Sequence, residues 1–147
     1  MMKHFLPFVL ALIALATMAS AQTLVEVQLV TATALKLDSQ IRIPSGSYRA
    51  LGPGVQRWVA KVRGRAGFGN WEAYAARGIA RRLRNAYVHQ VAGSFAAAGY
   101  LLGEQQTYQV GSERHTRYVF ESMDGKRALL YVIEAPDVLV WLVGWSQ

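Results

Sequence analysis

The last third of the chain consists of short runs of apolar, aromatic and alternating residues, which turn residues separate. Four runs, EQQTYQV, RHTRYVFES, RALLYVIEA and VLVWLVGWS, are divided by Gly111-Ser112, Asp124-Gly125 and Pro136-Asp137. Alternation of this kind, with many β-branched and aromatic residues, is typical of strands, and Asp-Gly favours a type I′ hairpin. The pattern therefore predicts a meander of four consecutive strands.

A longer stretch upstream, NWEAYAARGIARRLRNAYVHQVAGSFAAAG, has the spacing of an amphipathic helix. Asn70 can cap a first turn, Glu72 suits the positive end of a helix dipole, and Gly99 suits a left-handed helix end. We expect one long helix between these residues. Its apolar stripe would comprise Ala75, Ile79, Leu83, Ala86, Val91, Phe95 and Ala98.

The last two predicted strands are apolar at both alternating sets of positions, within 128–133 and 138–143. A half-exposed strand would alternate with polar residues, so these strands are expected to be covered on both faces. One helix covers only one face. The N-terminal segment 23–62 contains the strand candidates TLVEVQLVTATALKL, QIRI and RWVAKV, and we expect it to extend or cover the sheet. If it did neither, the bare face would be a ligand or partner surface.

These elements predict an α+β fold class. It has one long helix packed on an antiparallel sheet with a C-terminal four-strand meander, and N-terminal strands that extend or cover the sheet.

The N-terminus, MMKHFLPFVLALIALATMASAQ, has the three parts of a secretory signal peptide. Lys3 lies in a short cationic region, an apolar run over 5–16 follows, and Ala19-Ser20-Ala21 is an A-x-A cleavage site. We expect residues 1–21 to be removed and residues 22–147 to form a single α+β domain. The mature protein would be periplasmic or extracellular and not an integral membrane protein.

The amino-acid composition excludes several kinds of functional site. The chain has no cysteine, which excludes a disulfide framework, a lipidation cysteine and a thiolate metal or redox site. Charge is unevenly distributed. Residues 40–90 contain ten Lys and Arg residues and one acidic residue, whereas residues 91–147 contain four Lys and Arg residues and six acidic residues. A one-sided positive field steers anionic partners, although an ordinary solvated basic surface has the same composition.

Six basic residues of this region form the predicted anion-binding surface: Lys61, Arg63, Arg65, Arg77, Arg81 and Arg84. The first three adjoin or lie in the glycine-rich stretch RGRAGFGN, whose backbone amides would hold an anion at the start of the predicted helix. The last three would share the helix face opposite the apolar stripe. Solvated arginines are the alternative interpretation in both places.

Recognised catalytic and nucleotide motifs are absent from the sequence. Gly64, Gly67 and Gly69 read G-x-x-G-x-G, which is neither a Walker loop nor a dinucleotide fingerprint, so no nucleotide or other cofactor is expected. His89 and His115 lack metal-ligand spacing, and no serine lies in a G-x-S-x-G elbow. No catalytic or metal residue is predicted, and a non-enzymatic role is favoured.

The helix pattern NWEAYAARGIARRL, its end at AAAGY, the spacing from Gly111 to Tyr118 and Phe120, and a closing aromatic strand resemble the Mog1/PsbP-like fold. That fold includes small exported bacterial proteins similar to DcrB. The resemblance covers roughly residues 55–146. It implies an α/β sandwich used for binding or assembly, and it carries over no functional residue. Cystatin-like and NTF2-like folds fit the same pattern.

The function predicted from these observations is an exported, non-enzymatic binding or assembly module with a basic, anion-facing surface. Its expected partners are an anionic polymer or an anionic membrane surface, or else a protein. One alternative is a carrier that binds an apolar ligand or a partner protein on the second sheet face. A third is a small hydrolase with an unrecognised site.

Overall fold

The computed structural model describes residues 26–147, so the predicted signal peptide and its cleavage site lie outside the described residues. Seven strands form one sheet in the order β1-β2-β3-β7-β6-β5-β4, and all neighbours are antiparallel. The strands are β1 Gln28–Thr31, β2 Ser47–Leu51, β3 Phe68–Ala76, β4 Tyr100–Val110, β5 Glu113–Ser122, β6 Arg127–Glu134 and β7 Leu139–Ser146. The helices are α1 Val55–Ala60 and α2 Arg84–Ala97, and a 3₁₀ turn, Arg81–Leu83, precedes α2.

The predicted fold class of one long helix packed on a sheet is wrong. The part of that helix over residues 70–76 belongs to strand β3, and the helix itself is confined to α2. The described chain is mainly a seven-stranded antiparallel sheet, on which two short helices pack.

Tertiary packing explains why residues 70–76 form a strand. Ala73 and Ala75 pack on one face of the sheet, whereas Tyr74 stacks on Trp141 on the other, with ring centroids 4.3 Å apart. Alanine favours a helix intrinsically, but β3 lies between β2 and β7 and gains ladder hydrogen bonds and buried contacts from both. Gly78, whose φ is +73°, then lies in the connection that leads out of the strand.

The meander predicted for the last third is present, since β4 to β7 pair consecutively. The turn at Asp124-Gly125 differs from the prediction. A type I′ turn needs positive φ at both central residues, and here Gly125 has a positive φ whereas Asp124 does not.

Both faces of the central strands are covered, as their apolar pattern predicts. On the first, which we call the α2 face, Tyr87, Val91 and Phe95 pack on the even-numbered residues of β6. On the second, the α1 face, Trp58 and Val59 belong to the cluster formed by the odd-numbered residues of β6.

The N-terminal segment both extends and covers the sheet. Strands β1 and β2 extend it, the segment 32–46 contributes Leu35, Ile41 and Ile43 to the core of the α2 face, and α1 covers the other face. The strand predicted for RWVAKV is wrong, because these residues form the end of α1 and the turn after it. Its Trp58 is an anchor of the core, only 1% exposed.

No helix within residues 26–147 is long and apolar enough to cross a membrane. The longest, α2, has 14 residues, whereas a spanning helix needs about 20.

Candidate functional site

Residues 63–67 of the glycine-rich stretch RGRAGFGN form a loop that accepts hydrogen bonds from a cation, and residues 68–70 belong to β3. The Arg117 side chain, on β5, donates through Nε to the carbonyl oxygen of Arg63 at 3.1 Å and through Nη2 to that of Gly64 at 3.0 Å. The loop then leads into β3 and not into a helix. The predicted helix N-terminus at this loop is therefore wrong, because a strand follows the loop.

The three basic residues near this loop have partners within the protein. Lys61 forms an ion pair with Glu113 at 3.3 Å, and the Arg63 guanidinium lies 4.7 Å from the ring centroid of Tyr108. Arg65 donates to the carbonyls of Val59 and Ala60 at 3.4 and 3.1 Å, so it caps the end of α1. These contacts hold the segment after α1 against the sheet.

Of the other three predicted residues, Arg81 and Arg84 lie close together at the end of the sheet where β3 ends and β7 begins. The Arg77 guanidinium lies 5.6 Å from the ring centroid of Tyr48 on β2. The three are not on one helix face, as predicted, since Arg77 follows β3, Arg81 begins the 3₁₀ turn and Arg84 begins α2. Arg81 donates to the carbonyl oxygen of Pro136. Arg84 donates to those of Ala135 at 2.7 Å and Pro136 at 3.5 Å. The turn between β6 and β7 thus holds two of the guanidinium groups side by side.

Arg77 and Arg84 also line a cavity of about 190 Å³ at this end of the sheet. Polar atoms contribute more of its wall than apolar atoms do, and its third charged group is Asp137. The remaining lining residues are Leu29, Ala75, Ala76, Gly78, Ile79, Val138 and Leu139. Both carboxylate oxygens of Asp137 are buried and have no hydrogen-bond partner among the described residues.

The electrostatics at this end favour an added negative charge. Burial, and then the positive charge of Arg81, lowers the pKa of Arg84 below its ordinary value. Glu134, an acid whose charge acts on Arg84, is itself held by Arg114 through contacts of 2.9–3.1 Å. With Glu134 paired to Arg114, Asp137 is the other acid whose charge acts on Arg84, so Arg81 and Arg84 together keep a net positive charge.

Glu72 has a role that the sequence did not predict. Expected near the start of a helix, it is a buried residue of β3, 2% exposed, and its carboxylate accepts four hydrogen bonds. The donors are the backbone N–H of Lys36 at 2.7 Å and of Leu37 at 2.9 Å, the Tyr74 hydroxyl at 2.6 Å and the Trp145 indole N–H at 2.9 Å. Because its carboxylate is buried and accepts all these hydrogen bonds, Glu72 has a structural role: it links the 32–46 segment to β3 and β7.

A second polar network joins Tyr131, His115, Glu113 and Lys61 on the α1 face. A carboxylate only accepts, so His115 Nε2 donates to Glu113 at 2.9 Å, and in the neutral ring Nδ1 accepts from the Tyr131 hydroxyl at 2.8 Å. Tyr131 is 0% exposed and His115 2%, and burial raises the pKa of Tyr131. A tyrosine in this position is no accessible nucleophile, so the network is structural.

No family model matches the chain, and no characterised protein or solved structure is significantly similar to it. The helix over residues 70–83, on which part of the resemblance to the Mog1/PsbP-like fold depends, is absent from the structure. The resemblance itself stays a prediction.

Proposed function

We propose that the chain is an exported, non-enzymatic binding module whose partner presents anionic groups, either on a polymer or on a membrane surface. The contact surface is the end of the sheet that carries Arg77, Arg81 and Arg84. The observation that supports this proposal most strongly is that two of these guanidinium groups are fixed by backbone carbonyls before any partner arrives.

Holding these two side chains in place favours anion binding, because a guanidinium has five N–H donors and the carbonyls use only some of them. Arg81 and Arg84 therefore keep donors for an outside anion and lose little side-chain entropy when they bind it. The low-dielectric surroundings that lower the pKa of Arg84 also strengthen its attraction for an anion.

The overall charge supports the same class of partner. Residues 26–147 contain 15 Lys and Arg against 9 Asp and Glu, a net charge of +6. A field of this sign raises the association rate with anionic partners and makes binding fall steeply with added salt.

The alternative of an apolar carrier on the second sheet face has less support. That face is covered by α1, and Leu129, Tyr131 and Leu142 beneath it are all 0% exposed. An apolar ligand would have to displace Trp58 to reach them.

Binding to heparin and to anionic vesicles at low and physiological salt tests the proposal. The Arg77→Gln, Arg81→Gln, Arg84→Gln triple variant should lose affinity and show a smaller salt slope. A triple variant of the exposed Arg42, Arg57 and Arg127 removes the same charge elsewhere and should lose much less. Thermal unfolding should show that both variants are folded. Equal losses of affinity in the two would mean that binding depends on net charge and not on this surface. Absence of binding at low salt would refute the proposal.

A further inference from the structure

We propose that a groove between α2 and the β4–β5 hairpin binds a neutral sugar, one pyranose ring held by hydrogen bonds to its hydroxyl groups. The groove, which we call the polar groove, has a volume of about 270 Å³. Strands β4 and β5 form its floor, and Asn85 and His89 of α2 form one wall. The inference goes beyond the proposed function, since none of the three arginines assigned to anion binding lines this groove.

The floor of the polar groove consists of two cross-strand pairs of polar residues. Gln105 on β4 faces Tyr118 on β5, and Thr107 faces Thr116. Among the described residues the hydroxyls of Thr116 and Tyr118 have no hydrogen-bond partner, and neither is among the atoms that are both unpaired and closed to solvent. The two hydroxyls therefore stay open to the groove, although these side chains are only 6% and 7% exposed.

The fixed charges of the lining cancel. Arg114 and Glu134 pair with each other through contacts of 2.9–3.1 Å, and Arg114 also donates to Asn85 at 3.3 Å. Burial raises the pKa of Tyr118, so its hydroxyl stays protonated at neutral pH and can donate as well as accept. A charged ligand would have to compete with the ion pair, whereas a neutral polar ligand leaves it intact.

A sugar is the neutral ligand that this lining complements. Each sugar hydroxyl both donates and accepts, as do the amides and hydroxyls of the groove. Polar atoms contribute most of the groove surface, so an apolar ligand would leave them unpaired. A cavity of about 150 Å³ accepts benzene, so a groove of about 270 Å³ suits a ligand of about eleven heavy atoms, close to the size of one hexose.

Titration with the methyl pyranosides of glucose, galactose and mannose tests the proposal, because the three differ only in the orientation of single hydroxyls. Cyclohexylmethanol, a ring of similar size with one hydroxyl, is the control ligand. At least one glycoside should bind saturably below about 10 mM, and at least about tenfold more tightly than cyclohexylmethanol. Amide chemical shifts should change at Thr107 and Thr116.

Two variants remove polar groups from the groove and keep the shape of the side chain. Tyr118→Phe removes a hydroxyl that has no partner in the fold, and Gln105→Met removes an exposed amide. Each should weaken glycoside binding by about threefold to tenfold. The matched controls, Tyr108→Phe and Gln106→Met, make the same changes on the opposite face of β4 and should leave binding unchanged.

Heparin binding should persist in both groove variants, so the sugar site and the polyanion surface can fail independently. Absence of saturable binding by all three glycosides would overturn the assignment, as would equal binding of cyclohexylmethanol. Unchanged glycoside binding by Tyr118→Phe and Gln105→Met would also overturn it. Binding of the neutral peptide acetyl-Ala-Ala-amide without binding of any glycoside would overturn it in favour of a peptide ligand.

Discussion

The guanidinium group of Arg117 lies directly against Gly64. Its Nη2 donates to the Gly64 carbonyl oxygen at 3.0 Å, and a Cβ at position 64 would lie only 2.8 Å from its Nε. Arg117 also donates to Glu104 at 2.7 Å, so one side chain joins β5, β4 and the glycine-rich loop. The φ of +68° favours glycine here, and an added Cβ would displace the Arg117 guanidinium.

Replacing Gly64 should therefore disturb this contact. Gly64→Ala adds left-handed strain of about 1–2 kcal/mol and also displaces the Arg117 guanidinium. Gly67→Ala is a matched control, because Gly67 has a φ of +88° but nothing within 4 Å of its added Cβ. Urea denaturation should show a larger loss for Gly64→Ala than for Gly67→Ala. Equal losses would mean that the Arg117 contact does not contribute to stability.

Glu72→Gln should destabilise the protein by about 1.5–3 kcal/mol, because an amide cannot accept all four of the hydrogen bonds that the carboxylate accepts. Amide hydrogen exchange at Lys36 and Leu37 should accelerate, since both donate to Glu72. Glu121→Gln, an exposed site on β5, should change stability by less than about 0.5 kcal/mol. Unchanged exchange at the two amides would refute the structural role assigned to Glu72.

Phe95→Ala should destabilise the protein by about 3–5 kcal/mol as a core truncation. Phe95 is 0% exposed and stacks on Phe120, with ring centroids 4.6 Å apart. Arg81→Ala, at an exposed site, should change stability by less than about 0.5 kcal/mol. Chemical denaturation measures both variants. A large loss in Arg81→Ala would show that its bond to Pro136 is a stability determinant.

Stability should fall in acid partly through Glu113. Burial alone raises the pKa of this carboxyl, but the hydrogen bond from His115 and the charge of Lys61 outweigh burial, so its folded-state pKa lies below the usual value. A depressed carboxyl pKa stabilises the fold above the unfolded-state pKa, and this contribution is lost as the pH falls through the folded-state pKa. Glu113→Gln should therefore be less stable at neutral pH and lose less stability on acidification, as urea midpoints across pH would show. Parallel curves for both proteins would contradict this.

Export should remove residues 1–21, because small residues stand at Ala19 and Ala21. Intact-mass measurement of the exported protein should find Gln22, free or cyclised, at the N-terminus. Ala21→Leu should leave the leader attached, and Gln22→Leu, on the other side of the bond, should not. Met1 retained in the mature fraction would contradict the prediction.

The sequence was informative where local pattern and packing agree. Alternation predicts β5, and the doubly apolar runs of β6 and β7 predict strands covered on both faces. In these strands the spacing of apolar residues along the sequence already indicates which faces are buried. Only residues 84–97 of the predicted long helix form α2, and its predicted apolar stripe is buried at Val91 and Phe95 but exposed at Leu83 and Ala86.

Prediction failed where distant partners decide the structure. The stretch from Asn70 to Ala76 is rich in alanine and favours a helix locally, and what makes it a strand is Trp141 and the other residues of β7, far away in sequence. Glu72 was misplaced with it, because its donors at positions 36, 37 and 145 share no local pattern. Arg77, Arg84 and Asp137 line one cavity only because the sheet brings β3 next to β7, so their spacing in the sequence could not associate them.

The position of β7 has a consequence for biosynthesis. The last of the seven strands in sequence, it lies between β3 and β6, and within the described chain it links the ladder β1–β3 to the ladder β4–β6. A ribosome that makes the chain from its N-terminus therefore releases two partial sheets, each with an apolar edge open, before the strand that closes them exists. Closure then buries every residue of β7 except Ser146 in one event. Folding should thus be late, slow and governed by pairing over long sequence separations.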